Sequence, residues 1–530
     1  MADEASVGPG ARAALGAPWA IATAIAVPLA VGYLLLAPPS ADLAAATYRS
    51  NLFARVGFTL WDNNWYAGHH LPAYSLLSPA LGAWLTPRLV LALSTVAASA
   101  LFGALVARHF APTAARLAAG SFALGAGVGM LSGRVPFVLG VAVALAALLA
   151  ASHGRGPPAL VLAVTSAAAS PVAAGFLALA GVALACSTPT ARRLGVGLAL
   201  ASLLPVLVLA VMFPEGGYEP FAPSAFWPAL AAVLALAVLL GERRVLLAGA
   251  LLYALALVGG FVLHTPLGGN VARLGPLVAV PLAAATLWPQ RRRLLFATAP
   301  LLLYWQLVTP VRDYARVGSQ ASVHASYYAP LMAELGQLTR GRPVRIEIPM
   351  TAAHWEADYV AARYPLARGW ERQLDTRYAR LFYDGALRPN AYEGWLHDEA
   401  VDYVAVADTR LDPAGAAEVE LIDRGPSYLS LLWRAAHWKL YAVRGARPLV
   451  SAPGTLLALG SDGFVLRAPR DGAYVVRVRF TPYWTIGVGR GCVSRAPGSW
   501  TQVDARAPGE LRVGIGFSPG RVFSHGPRCR

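Results

Sequence analysis

The chain has 530 residues, 56% hydrophobic and only 14% charged, with a mean hydropathy of +0.51 and a formal net charge of +16. Ordinary soluble domains carry about 25% charged residues, so disorder, a fibrous repeat and an all-soluble enzyme are excluded. Only seven of the 28 carboxylates (Asp3, Glu4, Asp42, Asp62, Glu215, Glu219 and Glu242) lie in residues 1–310, which divides the chain into a polytopic membrane module and a water-soluble one.

The basic residues do not describe a nucleic-acid groove. Of the 44, only Lys439 is a lysine, and many arginines stand in short loops between apolar runs. That pattern belongs to membrane topology, and no nucleic-acid partner is expected.

An apolar run of about 20 residues spans a bilayer. Such runs occur at 18–37, 88–107, 113–131, 135–151, 194–213, 224–241, 245–263, 274–289 and 294–309. The first follows an acidic, weakly basic head (Asp3, Glu4, Arg12) without a clear cleavage site, and reads as an uncleaved span rather than a signal peptide. The stretch 158–186 is too long for one upright helix and is broken at Ser170-Pro171. Arg108, Arg116, Arg155, Arg192/Arg193, Arg243/Arg244 and Arg291–Arg293 fall on one side if 158–186 goes in and returns as two short helices. The expectation is ten or eleven membrane segments in a multi-pass plasma-membrane protein. The arginine loops would be cytoplasmic, and the first outer loop (38–87) and everything from 311 onward extracytoplasmic.

Residues 311–342 read as a linker. From 343 strands and helices alternate: a strand at 344–348, helices at 354–363 and 390–399, a buried strand at 403–406, helix at 418–422 and a strand at 438–443. This is a small α/β domain, 343–446. Short strands with Gly/Pro turns, such as 473–480 and 511–517, then suggest a β-sandwich at 447–530. Cys492 and Cys529 both lie there, where a disulfide between them is allowed, and no Cys/His metal spacing occurs. Arg368 to Asp375 is dense in groups that could bind sugar, the alternative being a packed corner with a solvated ion pair.

Ionisable groups at a bilayer need a reason. Asp42 follows the first span by a few residues and is a candidate general base; alternatively it caps a helix at 43–56. Asp62 lies in Leu60-Trp61-Asp62-Asn63-Asn64-Trp65-Tyr66-Ala67-Gly68-His69-His70, where aromatic neighbours would desolvate a carboxylate and raise its pKa. Trp61, Asn63, Trp65, Tyr66, His69 and His70 are candidate substrate contacts, with an interfacial aromatic belt as the other reading of the rings. Arg134, in Ser132-Gly133-Arg134-Val135-Pro136, and Arg273, in the loop with His264 and Asn270, can each hold a phosphate or snorkel to headgroups.

These features resemble a known family. One span, an outer loop opening with Asp, many further spans and an outer C-terminal region are similar to GT-C glycosyltransferases. The run Gly57-Phe58-Thr59-Leu60-Trp61-Asp62-Asn63-Asn64-Trp65-Tyr66-Ala67-Gly68-His69, with Thr265-Pro266-Leu267-Gly268-Gly269-Asn270 and Arg273-Leu274, resembles bacterial membrane proteins labelled "6-pyruvoyl-tetrahydropterin synthase-related". The resemblance implies a GT-C-like membrane domain over 1–310 and a polyprenyl-phosphate-linked sugar as donor. It also implies a glycan acceptor, a first-loop acid at Asp42 with Asp62 as second candidate, and Arg134 and Arg273 as lipid-phosphate ligands. The first loop holds no adjacent acidic pair, so the Mg²⁺ or Mn²⁺ used by some such enzymes stays open. The expected function is an inverting membrane glycosyltransferase acting on a cell-envelope glycan or glycoconjugate. The alternatives are a transporter or flippase of a lipid-linked or polar solute, and a non-catalytic envelope-assembly protein.

Overall fold

The computed structural model describes residues 16–240 and 242–530; Asp3, Glu4 and Arg12 lie outside the described residues. The chain forms two compact units. One comprises residues up to Ala46, Tyr74–Leu209 and Tyr218–Ala315; the other Thr47–Ala73, Ala210–Gly217 and Arg316–Arg530. The middle of the expected first outer loop therefore folds with the C-terminal region rather than with the helices that flank it.

The first unit is helical. Among the described residues, eight helices are long and apolar enough to cross a membrane: Pro18–Leu36, Pro87–His109, Pro112–Ser132, Val135–Ser152, Pro189–Met212, Arg244–Val262, Gly268–Leu287 and Arg292–Val317. Gly156–Ala169, Pro171–Ser187 and Pro223–Leu239 are shorter apolar helices. Several begin on proline, which lacks only an N–H that the first turn leaves unpaired anyway. Small side chains let the helices close on one another. Ala22, Ala26, Ala98, Ala115, Ala118 and Ala123 share one core with Phe102 and Phe122. The rings of those two phenylalanines stack at 4.2 Å.

The stretch 158–186 is a helical hairpin. The Ser170 hydroxyl accepts from the Ala173 N–H and starts the second arm. Both far ends of the hairpin meet the start of Arg192–Met212. A Cβ on Gly197 would lie 3.1 Å from Leu160, and one on Gly195 would lie 2.6 Å from the Gly181 carbonyl oxygen. At the tip, the Ala168 carbonyl accepts the Leu76 N–H (2.8 Å) and the Leu77 N–H (3.3 Å), which satisfies a helix-end acceptor.

The arginine loops gather at one end of this bundle. Arg108 donates to the Ser152 carbonyl, Arg116 to Gly16, Arg243 to His109, and Ser187 to Arg244. Arg291 pairs with Glu242. Arg134 and Asp313 mark the opposite end.

The second unit holds three four-stranded sheets. In the first, Ile346–Glu347 runs parallel to Tyr403–Ala407, followed by antiparallel Trp438–Val443 and the edge strand Leu429–Arg434. Its core includes Val404, Val406, Leu396, Leu421 and Ile422. The other two sheets are antiparallel and enclose a core of alternating inward residues such as Phe464, Leu466, Val476, Val478, Leu511 and Val513. Cys492 and Cys529 are disulfide-bonded on neighbouring strands.

Some expected elements differ. The stretch 311–342 is helical rather than a linker, because the last long helix runs on to Val317 and Ala325–Thr339 is a further amphipathic helix. The helix expected at 354–363 is a single turn, Glu356–Tyr359. The ion pair around Arg368 is buried, not solvated: its guanidinium meets Asp375 (2.6 and 2.8 Å) and Glu418 (3.0 Å), and lies over the Phe382 ring.

The Gly181–Gly195 contact gives a test of the hairpin. Gly195→Leu should destabilise the protein by about 1–3 kcal/mol through overpacking. Thermal unfolding in detergent should show the loss, whereas Gly259→Leu, where a Cβ meets nothing within 4 Å, should be neutral.

Candidate functional site

At the end of the bundle opposite the arginine loops, a polar cluster forms from four separate segments. Asp42 lies in the first turn of Ala41–Val56, where a carboxylate meets the positive end of the helix dipole. It is inside the turn, so the position before the helix is Ser40's and the capping alternative is not realised. Arg134 immediately precedes Val135–Ser152. The chain reaches it through a 3-10 turn, Met130–Ser132, and Gly133 at φ +71°. Gly133 is needed twice over, for that backbone conformation and because a Cβ would collide with the Ser40 hydroxyl and approach the Leu43 nitrogen to 3.0 Å. This contact seats the start of the Asp42 helix against the Arg134 turn.

Arg134 then bridges two carboxylates. Its Nε donates to Asp42 Oδ2 at 3.2 Å and its Nη2 to Asp313 Oδ2 at 3.3 Å. The Ser132 hydroxyl donates to the same Asp313 oxygen at 2.8 Å. The three charged side chains are 24% (Asp42), 25% (Arg134) and 35% (Asp313) exposed, so they are screened by protein yet open to a ligand. Asp313 sits one turn before the end of the last long helix, and is the only carboxylate within the eight long helices.

Arg273 closes the 3-10 turn Gly268–Arg273, with its guanidinium 5.6 Å from the Phe137 ring centre. It is within electrostatic reach of Arg134, Asp42, Tyr74 and Glu219. Glu219 is fixed against this loop: its N–H donates to the Thr265 carbonyl at 3.1 Å, and Gly268 lies so close to the Glu219 carbonyl that no Cβ fits. Asn270 and His264 belong to the same loop, His264 edge-on to Tyr218 at 4.8 Å. The structure thus brings Asp42, Arg134 and Arg273 together, with Asn270 and His264 on the Arg273 loop. It adds Asp313 and Ser132, which sequence reasoning did not select. The signal for Asp313 was its setting: an Arg312-Asp313 pair that follows a long uncharged run (294–311), still in helical register.

Asp62 and its neighbours belong to the other unit. Asp62 is fully buried; the Tyr48 hydroxyl donates to its Oδ2 (2.8 Å) and the Asn64 N–H to its Oδ1 (3.1 Å). Trp61 enters the sandwich core, 5.7 Å from Trp484, and donates to Asn63 (2.7 Å). Asn63 donates to the Gly460 carbonyl, Trp65 to Ala357 and Tyr66 to Glu371. Trp65 also stacks on Tyr48 and His69. His70 pairs with Glu215 (2.8 Å) and with Thr481 (3.0 Å). Arg49 and Glu371 form an ion pair beside this group. Every one of these candidate contact residues is buried. They plug the junction between the α/β sheet and the sandwich rather than line an opening.

Among the described residues no set of three or more His, Cys, Asp or Glu side chains converges as a ligand group. Asp42 and Asp313 share a guanidinium instead, and that donor set does not fit the several oxygen ligands Mg²⁺ or Mn²⁺ takes.

Burial pushes the Asp62 carboxyl up to about 6. The folded state therefore holds this proton more tightly than the unfolded chain, where an aspartate titrates near about 3.9. The stabilisation is full below about pH 4 and is lost as pH rises through about 6, an effect of about 3 kcal/mol. Asp62→Asn keeps the Asn64 N–H bond to Oδ1 and exchanges the Tyr48 donation for an Nδ2–H bond to the Tyr48 oxygen, without the charge. Thermal unfolding midpoints should show it at least as stable as the wild type at pH 7, with a flatter profile between pH 4 and 6.

No family model matches the chain, and no curated protein matches it by sequence. Among solved structures it is similar to arabinofuranosyltransferase AftD from Mycobacteria, at 17% identity and a TM-score of 0.47 over 86% of this chain. The chain spans 42% of the length of that structure.

Proposed function

We propose that the protein is a membrane glycosyltransferase that takes a sugar from a polyprenyl-phosphate donor and places it on a cell-envelope glycan or glycoconjugate at the outer face. The observation that carries this reading is Arg134, held between Asp42 and Asp313 at the bundle end opposite the arginine loops, with Arg273 in electrostatic reach. An acid and two guanidiniums at a membrane boundary are the groups that transfer from a lipid phosphate needs. Arginine loops face the cytoplasm as a rule, which supports an outer-side location for the cluster.

In the proposed reaction Asp42 accepts the proton of an acceptor hydroxyl. The oxygen attacks the anomeric carbon, a new glycosidic C–O bond forms, and the bond from that carbon to the phosphate oxygen breaks. The sugar inverts and the lipid phosphate leaves with the bonding pair. Arg273 and Arg134 stabilise the charge gathering on that phosphate. Asp313 and Ser132 orient Arg134, so that one guanidinium serves both the base and the leaving group.

General-base catalysis contributes about 10²–10⁴-fold. In a transfer assay from polyprenyl-phosphate-linked sugars to envelope glycan, Asp42→Asn should lose activity in that range while expression and thermal stability hold. Wild-type transfer by a stable Asp42→Asn protein would refute the assignment. Arg134→Gln and Asp313→Asn should be non-additive in the same assay, with a coupling of about 0.5–3 kcal/mol. Additive losses would remove Asp313 from the site.

A further inference from the structure

The β-sandwich carries an open surface depression of about 650 Å³ lined by Gly489, Arg490, Arg506, Ala507 and Arg530, all of them exposed. Three of its five lining residues are arginines, delivered by three separate strand ends. Arg490 lies in the turn between Trp484–Val488 and Gly491–Arg495, and Arg506 follows Trp500–Ala505. Arg530 follows Arg528–Cys529. Their backbones are locked together. The Arg506 N–H donates to the Arg490 carbonyl (3.0 Å), and Arg530 and Gly491 exchange two hydrogen bonds (2.8 and 3.1 Å). The Cys492–Cys529 disulfide ties the same two strands.

Among the described residues no carboxylate comes within 4 Å of these three guanidiniums, whereas Arg467 on the same sandwich pairs with Glu510. Arg506 instead reaches the Cys492 sulfur (3.4 Å) and Arg530 the Ile486 carbonyl (3.3 Å). Residues 447–530 hold 12 arginines against four carboxylates, while 343–446 hold 12 basic residues against 15 acidic ones. The positive charge of the soluble part is thus concentrated on the domain that bears this depression. Like charges held at one opening repel, and a dianion relieves that repulsion while matching the planar donor fork of arginine. The lining has no aromatic ring for a neutral sugar face, no acidic side chain for a metal, and no large apolar group for lipid.

We infer that this depression binds phosphate groups, through Arg490, Arg506 and Arg530. The inference does not depend on the transferase reading. The test titrates the full-length protein, in nanodiscs of zwitterionic lipid, with poly(glycerol phosphate) and with neutral dextran. The phosphate polymer should bind and dextran should not. The triple variant Arg490→Gln/Arg506→Gln/Arg530→Gln should bind at least about tenfold more weakly. An equal-charge control, Arg467→Gln/Arg470→Gln/Arg495→Gln, alters arginines outside the depression and should retain most of the affinity. Equal losses in the two triple variants, equal binding of dextran, or capture only by vesicles of anionic lipid would each overturn the assignment.

Discussion

A guanidinium shared by two carboxylates at the end of a helical bundle organises the membrane unit. Arg134 lies between Asp42 and Asp313, and each of the three would be costly to leave unpaired in a partly desolvated place. Meeting that requirement ties together the helix after the first span, the turn before Val135–Ser152 and the end of the last span. Gly133 makes the approach possible, since any side chain there would hit Ser40. The arrangement leaves an acid and a cation oriented toward each other, which is a useful starting geometry for moving a proton while a phosphate departs.

The other unit is organised by a different buried group. The segment Thr47–Ala73 folds with residues beyond 316, and its aromatic loop fills the space between a four-stranded sheet and a sandwich. The polar atoms of Trp61, Asp62, Asn63, Trp65 and Tyr66 find partners inside that junction. A cluster of rings and amides answers equally well to a sugar or to a crowded interface between domains. The choice depends on what the rest of the chain places opposite it, which no local pattern contains.

Much of the membrane unit was legible because its signals are long-range averages. Apolar runs give the helices, and the arginine loops required 158–186 to double back, as the contacts of Gly181 and Leu160 with the next helix bear out. Asp313 escaped because a helix that changes from apolar to amphipathic near its end resembles the start of a linker. In the second unit, Trp438–Val443 and Tyr403–Ala407 stood out by their β-branched and aromatic pattern. Leu429–Arg434 did not: it is an edge strand, largely exposed, and pairs through backbone with little inward alternation. The burial of Arg368 was likewise invisible locally, since Glu418, one of its partners, lies 50 residues away.

The account rests on the Asp42–Arg134–Asp313 end of the bundle facing away from the cytoplasm. Single cysteines at Ser319 and at Thr190, both exposed, report the two ends once the free Cys186 is changed to serine. A membrane-impermeant thiol reagent applied to intact cells should label Ser319→Cys and should reach Thr190→Cys only after permeabilisation. Labelling in the reverse order would put the site in the cytoplasm and contradict the account.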